Sequence, residues 1–444
     1  MAADDKTGCI RKLFPDAAPE TGESMDRILD DVQRDVLPGL THWQSPSFFA
    51  YFPANASDAG FAGEMLSAGL NVVPFVWKAS PVATELEQVV VDWMAGLVGL
   101  PEIFRFAGGG GGVLQGSTCE AVVCTLAATR DRAISKLGHA AILRTVVYAS
   151  DQTHATFQKG ARIVGIPLAN FRVLRTTAES GYGLTADTVR AAVEEDVARG
   201  LVPLYLCATV GTTGLGAIDP VRELGQVARR YGMWLHNDAA YAGSAAICPE
   251  LADSVSMNPH KLFLTNMDCC CLWVADPTAL TSALSTDPEY LKNVGSSGDV
   301  SPIDYKDWQI ALSRRFRAIK LWVVLRRYGA AGLRAYIRRH VRMAKWFELA
   351  VAADARFEVV VPRNLSLVCF RLRHRLGERP EDDDAVEELD RRLLADVNAS
   401  GRAFMTHFVV DGKFVIRLAV GGAMTEMRHV RDAWELLKEK ANEL

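Results

Sequence analysis

Lys261 closes the stretch Ser256-Met257-Asn258-Pro259-His260-Lys261, and Asp238 stands upstream in His236-Asn237-Asp238-Ala239-Ala240-Tyr241. A lysine amine can condense with a cofactor aldehyde as a Schiff base. An aspartate can pair with a pyridinium nitrogen and keep it protonated, which makes the ring an electron sink. Together the two residues point to pyridoxal phosphate (PLP). Singly, each would more often be a solvated surface lysine or a turn aspartate. Both lie in mostly apolar stretches, which weighs against that reading.

Other candidates gather around this pair. Five consecutive glycines, Gly108 to Gly112, precede Gly116-Ser117-Thr118-Cys119-Glu120 and an Ala-, Val- and Leu-rich helical segment. A helix start led by glycine and hydroxyl residues offers free N–H groups and the positive dipole end to a phosphate. A glycine run alone is a weak signal, and no Gly-Lys-Ser/Thr follows to make a P-loop. His154 follows the apolar run Val146-Val147-Tyr148-Ala149, and Thr213 follows Val202 to Val210. A lone histidine is more often an ordinary loop or core residue; beside the other candidates it could stack on a cofactor ring or move a proton.

The elements that must position these residues follow from the alternation of short apolar runs with helical segments. Strands are expected at 146–149, 202–210, 233–235, 254–257 and 269–274, with a helix at 221–231. That alternation predicts an α/β fold with a mostly parallel sheet and helices on both faces. Ligands of open sheets bind beyond the carboxyl ends of the strands. His154, Thr213, Asp238 and Lys261 all fall just after expected strands.

Composition narrows the class. A chain of 444 residues is long for one core, so two or three domains are expected. The net charge is −4, unlike a dedicated nucleic-acid binder. No secretory signal or membrane span is expected, because the first residues are polar and no run of apolar residues is long enough. Nine cysteines are scattered without a framework spacing, as in a reducing compartment. Cys269-Cys270-Cys271 would alternate across a strand and cannot converge on one ion, so no metal site is expected.

The remaining segments frame the site. Met25 to Val36 is helical in pattern. Ser45 to Pro53 is an aromatic cluster that could plug a core or wall a pocket for a flat substrate. Ser80-Pro81 opens a long helix, with Ser80 as its expected N-cap. Lys292 to Asp304 is Gly/Ser-rich and reads as a lid, with Tyr290 at its base as an exposed residue or a proton donor. Arg314 to Arg327 reads as an amphipathic helix with a solvated basic face. From Glu358 onward, strands, a helix from Asp382 to Val397, an Asp411-Gly412 hairpin and a final helix make a small α+β domain. The expected division is a short N-terminal segment over 1–57, a cofactor-binding domain over 58–319 and a C-terminal domain over 320–444.

Asn258-Pro259-His260-Lys261, Asp238 to Ser244, Tyr148 to His154, Gly211-Thr212-Thr213 and Tyr305 to Arg317 resemble the group II PLP-dependent amino acid decarboxylases, and most closely the plant aromatic ones. The resemblance runs from about Leu37 to the C-terminus. It implies the fold-type I PLP-dependent transferase (aminotransferase-like) architecture, a cytoplasmic homodimer and a small aromatic amino acid as substrate. It implies that Lys261 carries the cofactor, that Asp238 pairs with the pyridine nitrogen and that His154 stacks on the ring. Thr118, Cys119, Asn258 and His260 would surround the phosphate, and Thr213 would lie near the ring. Tyr290 would return a proton to Cα.

Two positions discriminate within that family. Tyrosine at 290 resembles true decarboxylases, where phenylalanine marks oxidative aldehyde synthases. Ser313 resembles tyrosine/dopa decarboxylases, where tryptophan decarboxylases tend to carry glycine. Tyr51, Phe52, Pro53, Val73 and Phe75 would line the aromatic side of the pocket. Three departures stand out: much of the N-terminal helical segment that clasps the partner is missing, a charged insert after Glu250 is absent, and Leu262 replaces a tryptophan. The expected reaction is decarboxylation of tyrosine or dopa to the aryl amine. An aromatic aldehyde synthase and a PLP-binding relative without turnover are the alternatives.

Overall fold

Thr145–Ser150, Trp234–Asp238, Ser254–Met257 and Cys270–Val274 are buried at every position. Strands covered on both faces read as near-continuous apolar runs rather than alternating ones; Thr145–Ser150 and Cys270–Val274 do so, whereas Trp234–Asp238 and Ser254–Met257 bury polar residues among the apolar ones. In the computed structural model, which describes residues 8, 10–244, 252–286, 288, 302–373 and 383–444, these runs join one seven-stranded sheet. Its strands are β1 (Gly111–Gln115), β2 (Thr145–Ser150), β3 (Phe171–Leu174), β4 (Val202–Thr209), β5 (Trp234–Asp238), β6 (Ser254–Met257) and β7 (Cys270–Val274). The order is β1-β7-β6-β5-β4-β2-β3. Pairs from β3 through β6 are parallel, and β7 runs antiparallel to both neighbours. The expected mostly parallel sheet is therefore present.

The glycine run builds structure instead of a free loop. Gly111 and Gly112 open β1, and a β-carbon on Gly112 would stand 2.7 Å from the Trp273 ring. Glycine is required there because β1 packs so close to β7 and its neighbours. The helix that follows, Thr118–Leu137, is capped by the Ser117 hydroxyl, which accepts from the Glu120 N–H. Ser80 sits at the N-cap of Pro81–Leu97, but its hydroxyl makes no capping bond.

The expected solvated basic face holds for Arg315, Arg326 and Arg327, which are exposed, and fails for two others. Arg314 and Lys320 are buried, with Arg314 against Glu87 at 2.6 Å and Lys320 against Glu64 at 2.9 Å. Asp268 adds a partner for Arg317 at 2.7 Å. Buried cations need such partners, and these ones come from distant elements. The helix Arg317–Ala353 is interrupted at Gly329, whose φ is 59°.

The chain divides into two units: Ala54–Arg342 with Val361–Leu367, and Met1–Pro53 with Met343–Val360 and Val368–Leu444. Most of a four-stranded sheet falls in the second; it is ordered β10-β11-β9-β8, of β8 (Phe357–Asn364), β9 (Leu367–Leu372), β10 (Thr406–Val410) and β11 (Lys413–Ala419). Asp411 and Gly412 turn the β10–β11 hairpin with φ 48° and 79°, as a tight two-residue connection requires. Its core includes Phe49, Phe347, Phe357, Phe370 and Trp434. Phe48 stacks on Phe404 at 5.6 Å, so the head of the aromatic cluster is core.

Candidate active site

The carboxyl ends of the parallel strands converge on one cavity of about 200 Å³. Each strand delivers a different group. Ser117, Thr118 and Cys119 follow β1, and His154 follows β2. Thr209, Gly211 and Thr213 come from the end of β4, Asp238 from β5, and Asn258, His260 and Lys261 follow β6. All eight residues expected around a cofactor line this cavity: Lys261, Asp238, His154, Thr118, Cys119, Thr213, Asn258 and His260. Thr156, Thr209 and Met267 line it too and were not singled out from sequence.

The Lys261 turn is rigidly held. It lies in a single helical turn, Pro259–Leu262, entered through Pro259, with the Lys261 N–H donating to the Asn258 carbonyl at 3.0 Å. Buried Asn55 clamps the same turn: its N–H donates to the His260 carbonyl at 2.8 Å and its side-chain amide donates to the Lys261 carbonyl. Burial lowers the Lys261 amine from its usual range, with the Asp238 carboxylate partly opposing. An amine so placed loses its proton more readily and becomes a nucleophile.

Asp238 is 5% exposed, and its Oδ1 accepts from the Ala240 N–H at 3.1 Å. His154 Nδ1 accepts from the Thr156 N–H at 3.1 Å, which leaves its proton on Nε2. His154 is exposed, yet partial desolvation lowers the pKa of its ring, the Asp238 carboxylate opposing and Lys261 adding to the effect. His260 Nδ1 lies 2.6 Å from the Cys269 carbonyl and donates to it, and burial pushes its pKa down to about 4. Thr118 Oγ1 donates to Asn258 Oδ1 at 3.0 Å, bridging two strand ends.

These groups fit PLP. An amine and a carboxylate share the cavity, and a long helix begins at its edge with Thr118 and Cys119 in the first turn, where N–H groups lack partners within the helix. Thr209 Oγ1 is buried there without a hydrogen-bond partner, as expected of a wall built around a polar guest.

The expected substrate residues are placed less tellingly. Val73, Phe75 and Ser313 share the unit of the cavity but are not among its lining residues, and Val73 and Ser313 are exposed. Tyr51, Phe52 and Pro53 belong to the other unit. There Tyr51 is 49% exposed and stacks on Trp43 at 5.3 Å, and the Arg417 guanidinium lies 5.4 Å over Phe52. Tyr290, the lid over 292–301 and Glu250 lie outside the described residues. Among the described residues no cluster could hold a metal ion, and no helix is long and apolar enough to cross a membrane.

Residues 8–373 match the pyridoxal-dependent decarboxylase conserved domain. The chain is 54% identical to tyrosine decarboxylase 1 of Narcissus pseudonarcissus, over 98% of this chain and 86% of that one. It is 53% identical to a phenylacetaldehyde synthase of a Rosa hybrid cultivar, over 98% and 88%. The fold superposes with a TM-score of 0.96 on Oryza sativa TDC solved with PLP and tryptamine, at 46% identity, covering 100% of this chain and 93% of that one.

Proposed function

The chain belongs to the pyridoxal-dependent decarboxylases, and from that membership we propose that it decarboxylates aromatic L-amino acids, tyrosine and dopa foremost, to tyramine or dopamine and CO₂. The observation that carries this reading is the 54% identity to a tyrosine decarboxylase across nearly the whole chain. The family's cofactor is PLP, and the reaction is that of a carboxy-lyase.

Bound PLP supplies a protonated ring that accepts the electron pair of the Cα–carboxylate bond as it breaks. The protein does the rest. Lys261, with its amine lowered by burial, is the attachment point. Asp238 would hold the proton on the ring nitrogen, and Thr213 would flank the ring. Thr118, Cys119, Asn258 and His260 would surround the phosphate, with the N–H groups of the helix N-terminus and the Asn258 amide as its donors. His154, whose Nδ1 is taken up by the Thr156 N–H, would cover the ring face and offer its Nε2–H to the substrate. Tyr290 returns a proton to Cα, and Ser313 offers a hydroxyl to the substrate phenol. Val73 and Phe75 form the apolar side of the substrate pocket.

The enzyme acts as a homodimer in the cytoplasm. In support, the helix Asp58–Leu70 exposes Phe61, Met65, Leu66 and Leu70 on its surface; an apolar face of that kind marks a protein interface. None of the seven described cysteines is in a disulfide, as in a reducing compartment.

A second reading, an aromatic aldehyde synthase, is favoured by the 53% identity to a phenylacetaldehyde synthase. Tyrosine at position 290 favours the decarboxylase. The deciding experiment supplies purified protein with PLP and L-tyrosine and quantifies tyramine, CO₂, 4-hydroxyphenylacetaldehyde and peroxide together. Tyramine matching CO₂ without peroxide is expected. Aldehyde and peroxide matching CO₂ would replace the leading reading with the second, and no CO₂ would overturn both.

A further inference from the structure

Thr209 is the last residue of β4 and the register partner of Asp238 on β5. Both line the cavity. Thr209 is only 4% exposed, and its Oγ1 is buried with no hydrogen-bond partner in the protein. A buried hydroxyl left unpaired is costly, and native proteins keep few of them.

The Thr209 backbone is held on both sides. Its N–H donates to Asp219 Oδ2 at 2.7 Å, and its carbonyl accepts from the Asp219 N–H at 3.0 Å. Asp219 Oδ1 takes the Leu184 N–H at 2.7 Å, so the carboxylate is itself fixed. The hydroxyl is therefore presented from a rigid strand end beside the aspartate, which is how a binding group is preorganised.

We infer that Thr209 is a further cofactor-binding residue, whose hydroxyl completes its hydrogen bonding when PLP fills the cavity beside Asp238. The inference rests on the PLP reading. An internal water that satisfies the hydroxyl whether or not the cofactor is bound is the competing account.

Thr209→Val keeps the branched shape and removes the hydroxyl, and Thr209→Ser keeps the hydroxyl. The test compares PLP affinity, read by cofactor absorbance and tryptophan fluorescence, with the melting temperature of the PLP-free proteins. Thr209→Val should bind PLP about tenfold more weakly, the net worth of one hydrogen bond. Its PLP-free form should melt at or above the wild-type temperature, because an unpaired hydroxyl has been removed. Thr209→Ser should bind within about twofold of wild type. Equal PLP affinity in Thr209→Val and wild type overturns the inference, as does a PLP-free valine variant that melts well below wild type. Wild-type protein that binds no PLP overturns the cofactor reading itself, an outcome distinct from either.

Discussion

Arg314 and Glu87, 227 positions apart in sequence, meet at 2.6 Å with both side chains fully buried. Arg314 also donates to the Leu114 carbonyl at 3.0 Å and to Gln309 Oε1 at 3.0 Å, and its guanidinium lies 4.6 Å over the Tyr305 ring. Glu87 Oε1 takes the Leu114 N–H at 2.8 Å. The pair ties the segment bearing Ser313 to the helix Pro81–Leu97 and to β1.

Removing one partner strands a buried charge. Arg314→Met should lower unfolding free energy by about 3–5 kcal/mol, and the double variant with Glu87→Leu should recover most of that loss. Urea denaturation of the two singles and the double measures the coupling. Strictly additive losses would mean that the pair does not act as a unit.

Lys261→Ala should fold and lose turnover altogether. Asp238→Asn keeps an acceptor for the Ala240 N–H and removes the charge, so decarboxylation should fall by about 100-fold or more. CO₂ release from L-tyrosine reads both. Full turnover in Lys261→Ala would remove the lysine from the mechanism.

Tyr290→Phe deletes one hydroxyl. The expected outcome is a change of product, from tyramine toward 4-hydroxyphenylacetaldehyde with peroxide formed one-for-one with CO₂. Tyramine as the sole product of the variant would take the proton-return role away from Tyr290.

Ser313→Gly removes a hydroxyl suited to a phenol and makes room for an indole. The kcat/KM ratio of tryptophan to tyrosine should rise about tenfold, the scale of a modest pocket change. An unchanged ratio would show that Ser313 does not meet the substrate ring.

Acid stability carries a signature of His236, which is wholly buried between the Ser254 and Ser256 hydroxyls at 2.8 and 3.1 Å. Burial pulls its imidazole from 6.5 down to about 4. Its contribution is complete above about pH 6.5 and is lost as pH falls through about 4, on the order of 3 kcal/mol in all. Asp219, pushed by burial up to about 7, has the opposite sign: its contribution is present below about pH 3.8 and is lost as pH rises through about 7. Comparison with His236→Gln isolates the histidine. The stability advantage of wild type should grow from pH 4 to 6.5 and then level off; a constant difference would contradict it.

Much of the sheet is legible because β2, β4 and β7 are largely apolar runs, and β6 lies where the sequence puts it, at Ser254–Met257. β1 escaped because Gly111 and Gly112 carry no side chains to show a pattern. β3 escaped because four half-exposed residues, Phe171–Leu174, barely alternate. Arg314 and Lys320 read as surface cations because Glu87 and Glu64 are remote in sequence, and only the fold brings them in. The eight residues expected around a cofactor all line the cavity, because each follows a recognisable strand or motif. Thr209 was not among them, since a threonine at a strand end is commonplace and only its unpaired hydroxyl sets it apart.

Thr209, Asp238 and Ser256 stand in one row across β4, β5 and β6. Side chains alternate faces with every residue, so parity along each strand decides what reaches the cavity. The connecting loops can lengthen or shorten freely across descendants of this chain. A one-residue insertion or deletion inside β5 cannot be absorbed in the same way, because it would turn Asp238 to the opposite face while leaving the composition nearly untouched. Length changes should therefore be frequent between these strands and absent within them, a constraint on inheritance set by the pleat.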